Sequence, residues 1–138
     1  MKRFTVEEAN ALLPRVGARL ARLREELTGL RFAEEQVQDL RQMWGLRIED
    51  PSCSDHQDYR RYVGEAALYG NRAKDTLAEL GELGVEVKDP WTGLVDFHGE
   101  RSRGGEVVYL CWKEGEPRIT HWHPLQGGFA ARRPIEEL

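Results

Sequence analysis

The sequence predicts an α+β fold, a long antiparallel helical hairpin of coiled-coil type followed by a small antiparallel β-meander. In the first half of the chain, apolar residues recur at intervals of four and three, which places them along one side of a helix. After Gly84 the interval changes to two, which is typical of half-buried strands. We therefore expect residues 1–84 to form the hairpin and residues 85–138 a sheet packed on it, as one structural unit.

The first helix is expected to begin near Val6. Thr5 and Glu8 have the spacing of a capping box, in which each side chain accepts a hydrogen bond from the other residue's amide. The apolar series that follows is Ala9, Leu13, Val16, Leu20, Leu23, Leu27 and Leu30, and it resumes at Val37, Leu40 and Trp44. This regular series is a heptad seam, the pattern by which helices pack side by side.

The length of the first helix predicts a homodimer. Pro14 and Gly17 should bend the helix early, and Gly29 could weaken it midway, although a break there is not required. At about 1.5 Å per residue an unbroken helix would run about 60 Å, which is more than a small sheet can cover. The surplus apolar positions are expected to pack against a second copy, or else against another protein.

A second helix is expected after a connection at residues 47–55, which are rich in Pro, Ser and Asp. Ser54 and Gln57 have capping-box spacing at its start. The apolar positions of this helix are Tyr59, Tyr62 or Val63, Ala66, Tyr69, Ala73, Leu77, Leu80 and Leu83. Gly84 should end it in a left-handed conformation.

Four strands are expected in the second half of the chain. They are residues 85–87, 93–99, 106–112 and 118–122. Glycine-rich turns at residues 102–105 and 114–116 join neighbouring strands and predict an antiparallel meander.

The charge balance argues against a nucleic-acid partner. The chain has 24 acidic and 20 basic residues and a pI near 5.6, so it lacks the positive field of most nucleic-acid binders. Arg15, Arg19, Arg22 and Arg24 form a basic stretch on the first helix. Acidic residues follow within a turn, as on the solvated side of a coiled coil, and we favour that interpretation.

No apolar run has the length of a signal peptide or a membrane span. The two cysteines, Cys53 and Cys111, are far apart and lie in unlike surroundings, which suits free thiols in a reducing compartment. We therefore expect a cytoplasmic protein with no membrane association.

A metal site is the main chemical hypothesis. If Val95 and Phe97 share the core face of the sheet with Leu110, the opposite face carries Asp96, His98, Tyr109 and Cys111. Imidazole, carboxylate and thiolate are ligands that zinc accepts. In the stretch ITHWHP, His121 and His123 point the same way and could join them.

The turn at residues 114–116 decides whether those histidines reach the site. A three-residue turn would place them beside Tyr109 and Cys111, whereas a two-residue turn would place them against the helices. Ile119 would point the same way as the two histidines, and its preference for the core favours the second arrangement. Trp122 would point the opposite way, and its preference for the core favours the first. Without a metal, His121 and His123 would form local hydrogen bonds, and Cys111 would be a small buried hydrophobic residue.

Several motifs in the chain are shared with a known family. They are FTVEEANALLP at the start, GLVDF at Gly93–Phe97, YLCW at Tyr109–Trp112, GEP at Gly115–Pro117, WH at Trp122–His123 and GFA at Gly128–Ala130. With these motifs the chain resembles the prokaryotic domain-of-unknown-function family 2203 over nearly its whole length. Ala131 and His98 depart from the family's pattern. The resemblance implies no activity and supplies no catalytic residues.

Two functions are compatible with the sequence. The first is a cytoplasmic binding or assembly module that acts through a helical-hairpin dimer. The alternative is a metal-dependent, possibly zinc-dependent, hydrolytic enzyme with His121, His123, His98 and Asp96 as candidate metal ligands. In that enzyme Glu116 is a weak candidate for general base. Cys111 is a weak candidate for nucleophile, since no nearby cation is evident to lower its pKa.

Overall fold

A computed structural model of the chain describes residues 2–101 and 105–138. Most of the predicted turn at residues 102–105 therefore lies outside the described residues. The chain divides into two compact units. The sheet unit contains the chain up to Ala21 and from Leu77 onward, and the helical unit contains Arg22–Thr76.

The structure confirms the α+β class. The helices are α1 (Val6–Trp44), a 3-10 turn (Gly45–Glu49) and α2 (His56–Glu82), and the strands are β1 (Val85–Asp89), β2 (Leu94–Glu100), β3 (Val107–Lys113), β4 (His121–Pro124) and β5 (Arg133–Pro134). The strands form one antiparallel sheet in the order β1-β2-β3-β4-β5. None of the helices described is long and apolar enough to cross a membrane.

The start of α1 is a capping box, as the sequence predicts. The Thr5 amide donates to Glu8 Oε1 at 2.9 Å, and the Glu8 amide donates to Thr5 Oγ1 at 3.1 Å. Just before it, the Phe4 amide donates to the His98 carbonyl at 2.8 Å, which ties this end of the helix to β2. At the far end of the helical region, Gly84 has a φ of 97°, which confirms the predicted left-handed cap.

In the helical unit, α1 continues through Gly29 without a break. Residues further along α1 contact residues earlier in α2. Glu26 accepts a hydrogen bond from the Thr76 hydroxyl at 2.6 Å, and further along α1 the ring of Phe32 meets that of Tyr62 edge-on. At the far end of this unit, Val37, Ile48 and Tyr59 form a buried cluster.

In the sheet unit, one face of the sheet and the first part of α1 supply the buried apolar residues. From the helices these are Ala9, Leu13, Val16, Leu20 and Leu80, and from the sheet Val85, Val95, Phe97, Val108, Leu110, Trp112 and Trp122. Burial of this face sets the strand register, because a slip of one residue would exchange the apolar and polar faces.

The predicted limits of β4 are wrong. The strand spans His121–Pro124 rather than residues 118–122. The Ile119 amide donates instead to Asn10 Oδ1 of α1 at 2.7 Å, so that this amide is not part of the ladder. Ile119 therefore does not follow the strand alternation, so that it and Trp122 are both buried. A fifth strand, which the sequence did not predict, pairs with β4.

Candidate metal centre

The register of the sheet gathers polar side chains on the face opposite the apolar core. Asp96 pairs with Cys111, Cys111 with His121, and Tyr109 with His123. Directly paired residues project from the same face of an antiparallel sheet. The pairing therefore brings both histidines of ITHWHP to the face that carries Asp96 and Cys111, although residues 114–120 connect the two strands in place of the three-residue turn considered above.

Three of these side chains form a buried cluster. Asp96, Cys111 and His123 offer one carboxylate oxygen, one sulfur and one imidazole nitrogen, all within 4.8 Å of one another. The exposed fractions of the three residues are 2%, 1% and 3%. Charged and polar groups this deep require partners, because burial removes their hydration. The cluster is therefore a feature whose chemistry needs an explanation.

His123 has an acceptor at each ring nitrogen. Nδ1 lies 2.8 Å from the carbonyl oxygen of Pro124, and Nε2 lies 3.2 Å from Asp96 Oδ2. A neutral imidazole has only one N–H donor. If Nδ1 donates to Pro124, an unprotonated Nε2 faces the carboxylate, so either a proton or a cation must lie between His123 and Asp96.

Asp96 is incompletely satisfied. Its Oδ1 is buried and accepts no hydrogen bond from the described part of the chain. Burial raises the pKa of this carboxyl above its usual value and outweighs the opposing effect of the His123 imidazole. The side-chain partners of this carboxylate are His123 and the weak thiol donor of Cys111, and a positive ion beside Oδ1 and Oδ2 would offset the cost that they leave.

The Cys111 thiol is held in its protonated form. Burial, together with the negative charge of Asp96, raises the pKa of Cys111 to about 12. A nucleophilic cysteine needs the opposite shift. The weak candidacy of Cys111 as a nucleophile thus loses support, whereas a metal ion would displace the thiol proton directly.

The donor set fits zinc or a metal of similar preference. Zinc accepts thiolate, imidazole and carboxylate ligands at roughly 2.0–2.3 Å. In tetrahedral coordination two such ligands are roughly 3.3–3.8 Å apart, so that the three donor atoms, which lie within 4.8 Å of one another, need only a small approach to hold one ion. The contact of His123 Nδ1 with the Pro124 carbonyl is the arrangement that orients a metal-binding histidine through its other nitrogen.

A cavity of about 270 Å³ opens above the cluster. Its wall contains the three cluster residues together with Lys88, Leu94, Tyr109, Leu125, Gly128 and Phe129. An ion held by the cluster would therefore have three protein ligands and one side facing a space large enough for a small molecule. Catalytic zinc sites keep an open position of this kind, whereas structural sites are closed by a fourth protein ligand.

Tyr109 forms part of the cavity wall beside the cluster. Its ring lies between those of His98 and His123, at centroid distances of 5.0 and 5.1 Å. Burial raises the pKa of the Tyr109 phenol, with the nearby Glu86 carboxylate adding to the effect. The phenol is therefore protonated at neutral pH, with its hydroxyl hydrogen-bonded to Glu86.

The other predicted site residues lie outside the cluster. His98 packs on Tyr109, with its Nε2 3.9 Å from Glu86 Oε1. His121 Nδ1 is 2.8 Å from the hydroxyl of its neighbour Thr120. Their role as metal ligands stays a prediction, which this placement does not support.

Glu116 forms local contacts instead of lining the cavity. It accepts hydrogen bonds from the Lys113 amide at 2.7 Å and from Arg132 Nη2 at 3.1 Å. Neither Glu116 nor Arg132 belongs to the described cavity wall. A general base for a metal-bound water would therefore have to be another group.

Sequence reasoning overlooked Lys88 and the apolar wall. Lys88 lies on β1 at the register shift between Val87 and Asp89, where the alternation of a regular strand no longer predicts the face of a side chain. Leu125 follows β4 in a turn, and Phe129 begins a short 3-10 helix (Phe129–Ala131); no periodicity in the sequence predicts the direction of either side chain. Their place in the wall could be found only from the folded chain.

No curated protein and no solved structure matches this chain. The model of a protein family does match it, over residues 2–135. That family is described as an uncharacterised conserved protein, DUF2203, which confirms the resemblance drawn from the GLVDF, YLCW and WH motifs. Since the match covers nearly the whole sequence, the chain belongs to the DUF2203 family.

Proposed function

We propose that the protein binds a divalent transition metal, with zinc as the preferred ion, and uses it to hydrolyse a small molecule. Asp96, Cys111 and His123 are the proposed ligands. The observation that carries the proposal is the convergence of these three buried donors at the floor of a cavity. No other group of three or more such donors is found among the described residues.

The proposed chemistry follows from the open side of the cluster. A metal ion with three protein ligands can hold a water molecule in its fourth position and lower the pKa of that water towards neutrality. The Tyr109 phenol in the same wall hydrogen-bonds to the Glu86 carboxylate, and it would have to exchange this partner for the oxygen on which charge develops during attack. Hydrolysis of an ester, an amide or a phosphate ester would use both groups.

The first experiment measures the metal content of protein purified without an affinity tag or chelator. We expect near-stoichiometric zinc in the natural protein and in His121→Ala, and little in His123→Ala. Cobalt-loaded protein should show a thiolate-to-metal absorption band that disappears in Cys111→Ala. Equal metal content in the His121 and His123 variants would contradict the proposed ligand set, as would a metal-free natural protein.

We propose homodimer formation through the helical unit as a second function, independent of the metal. Large apolar side chains are exposed there, namely Phe32, Met43, Leu46, Val63 and Leu68. Val63 also borders a cavity of about 550 Å³. The same cavity has Glu34 and Arg41, two turns apart on α1, in its wall. In a two-fold dimer that pairs these α1 segments antiparallel, Glu34 of each copy would meet Arg41 of the other.

Light scattering coupled to size exclusion tests the dimer. We expect twice the monomer mass at micromolar concentration, and the monomer mass for Val63→Glu, in which a charge would be buried at the interface. Lys74→Glu, also on α2, is the matched control and should leave the mass unchanged. A natural protein that remains monomeric at high concentration would exclude this assembly.

A further inference from the structure

We infer that the cavity above the cluster takes a small molecule with one anionic group on an apolar body, and that Lys88 binds the anion. The anion is a carboxylate or a phosphate ester. This inference names the substrate class of the proposed hydrolase and rests on that proposal for the identity of the reacting centre. The charge of the ligand and its apolar body are inferred from the residues of the cavity wall.

The ammonium group of Lys88 is positioned by two neighbours. Its Nζ lies 3.1 Å from Glu86 Oε2 and 5.2 Å from the centre of the Tyr109 ring. An ammonium has three N–H donors, and Glu86 can occupy one of them. Lys88 is therefore held at the cavity with donor capacity remaining, which reduces the entropy lost when it binds a ligand.

The charges of the wall predict the charge of the ligand. Lys88 is the one lysine or arginine among the described wall residues, and Asp96, the one acidic residue there, already faces His123 at 3.2 Å. Glu86 forms an ion pair with Lys88 from outside the wall. The two side chains of this pair are 44% and 43% exposed, so that water weakens it. An anion in the cavity can therefore compete with Glu86 for the Lys88 ammonium.

The remaining wall predicts the body of the ligand. Leu94, Leu125 and Phe129 are apolar, and about half of Leu125 and of Phe129 is exposed in this structure. A ligand that covers them gains roughly 25 cal/mol for each Å² of apolar surface removed from water. The volume of about 270 Å³ is below the range of roughly 300–1,000 Å³ typical of drug-sized ligands. The cavity thus suits a compact molecule, such as one with a single ring.

Benzoate and its neutral counterpart benzamide form a matched pair of probes. Their binding would be measured by calorimetry and by amide chemical shifts in the full chain, both zinc-saturated and metal-free. We expect benzoate to bind at least about tenfold more tightly than benzamide, the size of one charge-assisted hydrogen bond. In the metal-free protein this preference should disappear in Lys88→Met, persist in Lys88→Arg and be unchanged in Lys74→Met. Phenyl phosphate, measured in parallel, identifies which anion is preferred.

The results separate this inference from the proposed metal function. In the metal-free protein, where no zinc can bind the carboxylate directly, equal binding of benzoate and benzamide, or a benzoate preference that survives in Lys88→Met, would overturn the role of Lys88. Lys88→Met is expected to keep its zinc, because Lys88 is not a proposed ligand. A natural protein that binds no zinc but shows the Lys88-dependent preference would support the anion site while contradicting the metal-dependent hydrolase.

Discussion

His123 and Asp96 meet at 3.2 Å through Nε2 and Oδ2, while the other nitrogen of His123 faces the Pro124 carbonyl at 2.8 Å. This pair is satisfied only when a proton or a cation lies between its members. In the metal-free protein a proton must lie between the two side chains. Burial already disfavours the charged form of Asp96 at this site. The same contacts that would favour metal binding therefore make the metal-free site costly for folding.

Asp96→Asn is expected to stabilise the metal-free protein by about 1–2 kcal/mol, because the amide removes a buried charge and can donate to His123 Nε2. The same variant should gain no stability from zinc. The natural protein should gain about 2.7 kcal/mol when zinc is at 100 times its dissociation constant. Urea unfolding with and without zinc measures both effects.

Asp75→Asn is the control, since Asp75 is exposed on α2. We expect it to leave metal-free stability nearly unchanged and to keep the zinc effect. An Asp96→Asn protein that is less stable than the natural one without metal would show that the carboxylate is stabilising in its present surroundings. That result would remove the energetic argument for a cation.

Cys111 predicts a loss of stability at alkaline pH. In the folded protein its pKa is about 12, whereas an unfolded thiol titrates near pH 8.5. Above about pH 8.5 the unfolded state therefore binds fewer protons than the folded state, and the free energy of unfolding falls as pH rises. The expected slope from this one group is on the order of 1 kcal/mol per pH unit between about pH 9 and 11.

Urea unfolding of the metal-free protein from pH 7 to 10.5 measures this slope. Cys111→Ala should have a flatter profile, whatever its absolute stability. Cys53→Ala, which changes the other free thiol, should keep the slope of the natural protein. Identical slopes in all three proteins would mean that the thiol of Cys111 titrates alike in the folded and unfolded states.

Gly29 is a packing residue of the helical unit. A Cβ atom added there would lie 2.7 Å from Cε1 of the Tyr69 ring, so that Ala would force the ring or the helix to move. Overpacking of this kind costs about 1–3 kcal/mol, against about 1 kcal/mol gained from the helix propensity of Ala. We expect Gly29→Ala to lower the free energy of unfolding by about 1 kcal/mol.

Gly64→Ala provides the opposite case, because no atom lies within 4 Å of a Cβ added at that position of α2. It should stabilise the protein by up to about 1 kcal/mol. Urea midpoints of the two variants should therefore shift in opposite directions. Equal stabilisation by both would show that the two helices do not approach closely at Gly29.

The periodicity of the sequence predicted the cluster only in part. Alternation along β2 and β3 is enough to place Asp96 and Cys111 on one face, because the apolar residues between them have to be buried. The position of His123 depends on the segment 114–120, which is held by contacts of Glu116 and by a contact to α1 more than 100 residues away in sequence. Local patterns carry no information about such a contact.

Asn10 is the residue that supplies this contact, and its substitution tests how the site is assembled. Its side chain accepts a hydrogen bond from the buried Ile119 amide at 2.7 Å. Asn10→Ala would leave that amide unpaired, at a cost of about 1–3 kcal/mol, and would release the segment leading into β4. We expect zinc affinity to fall along with stability, because His123 lies four residues further along that segment.

Asn10→Asp separates positioning from packing, since a carboxylate oxygen can accept the same hydrogen bond. It should restore most of the zinc affinity that Asn10→Ala loses, as measured by competition with a chelator of known affinity. Leu83→Ala, a truncation at a partly buried position of the same unit, should reduce stability without a matching change in zinc affinity. If affinity follows overall stability in all three variants, Asn10 contributes to the fold and has no separate role in placing β4.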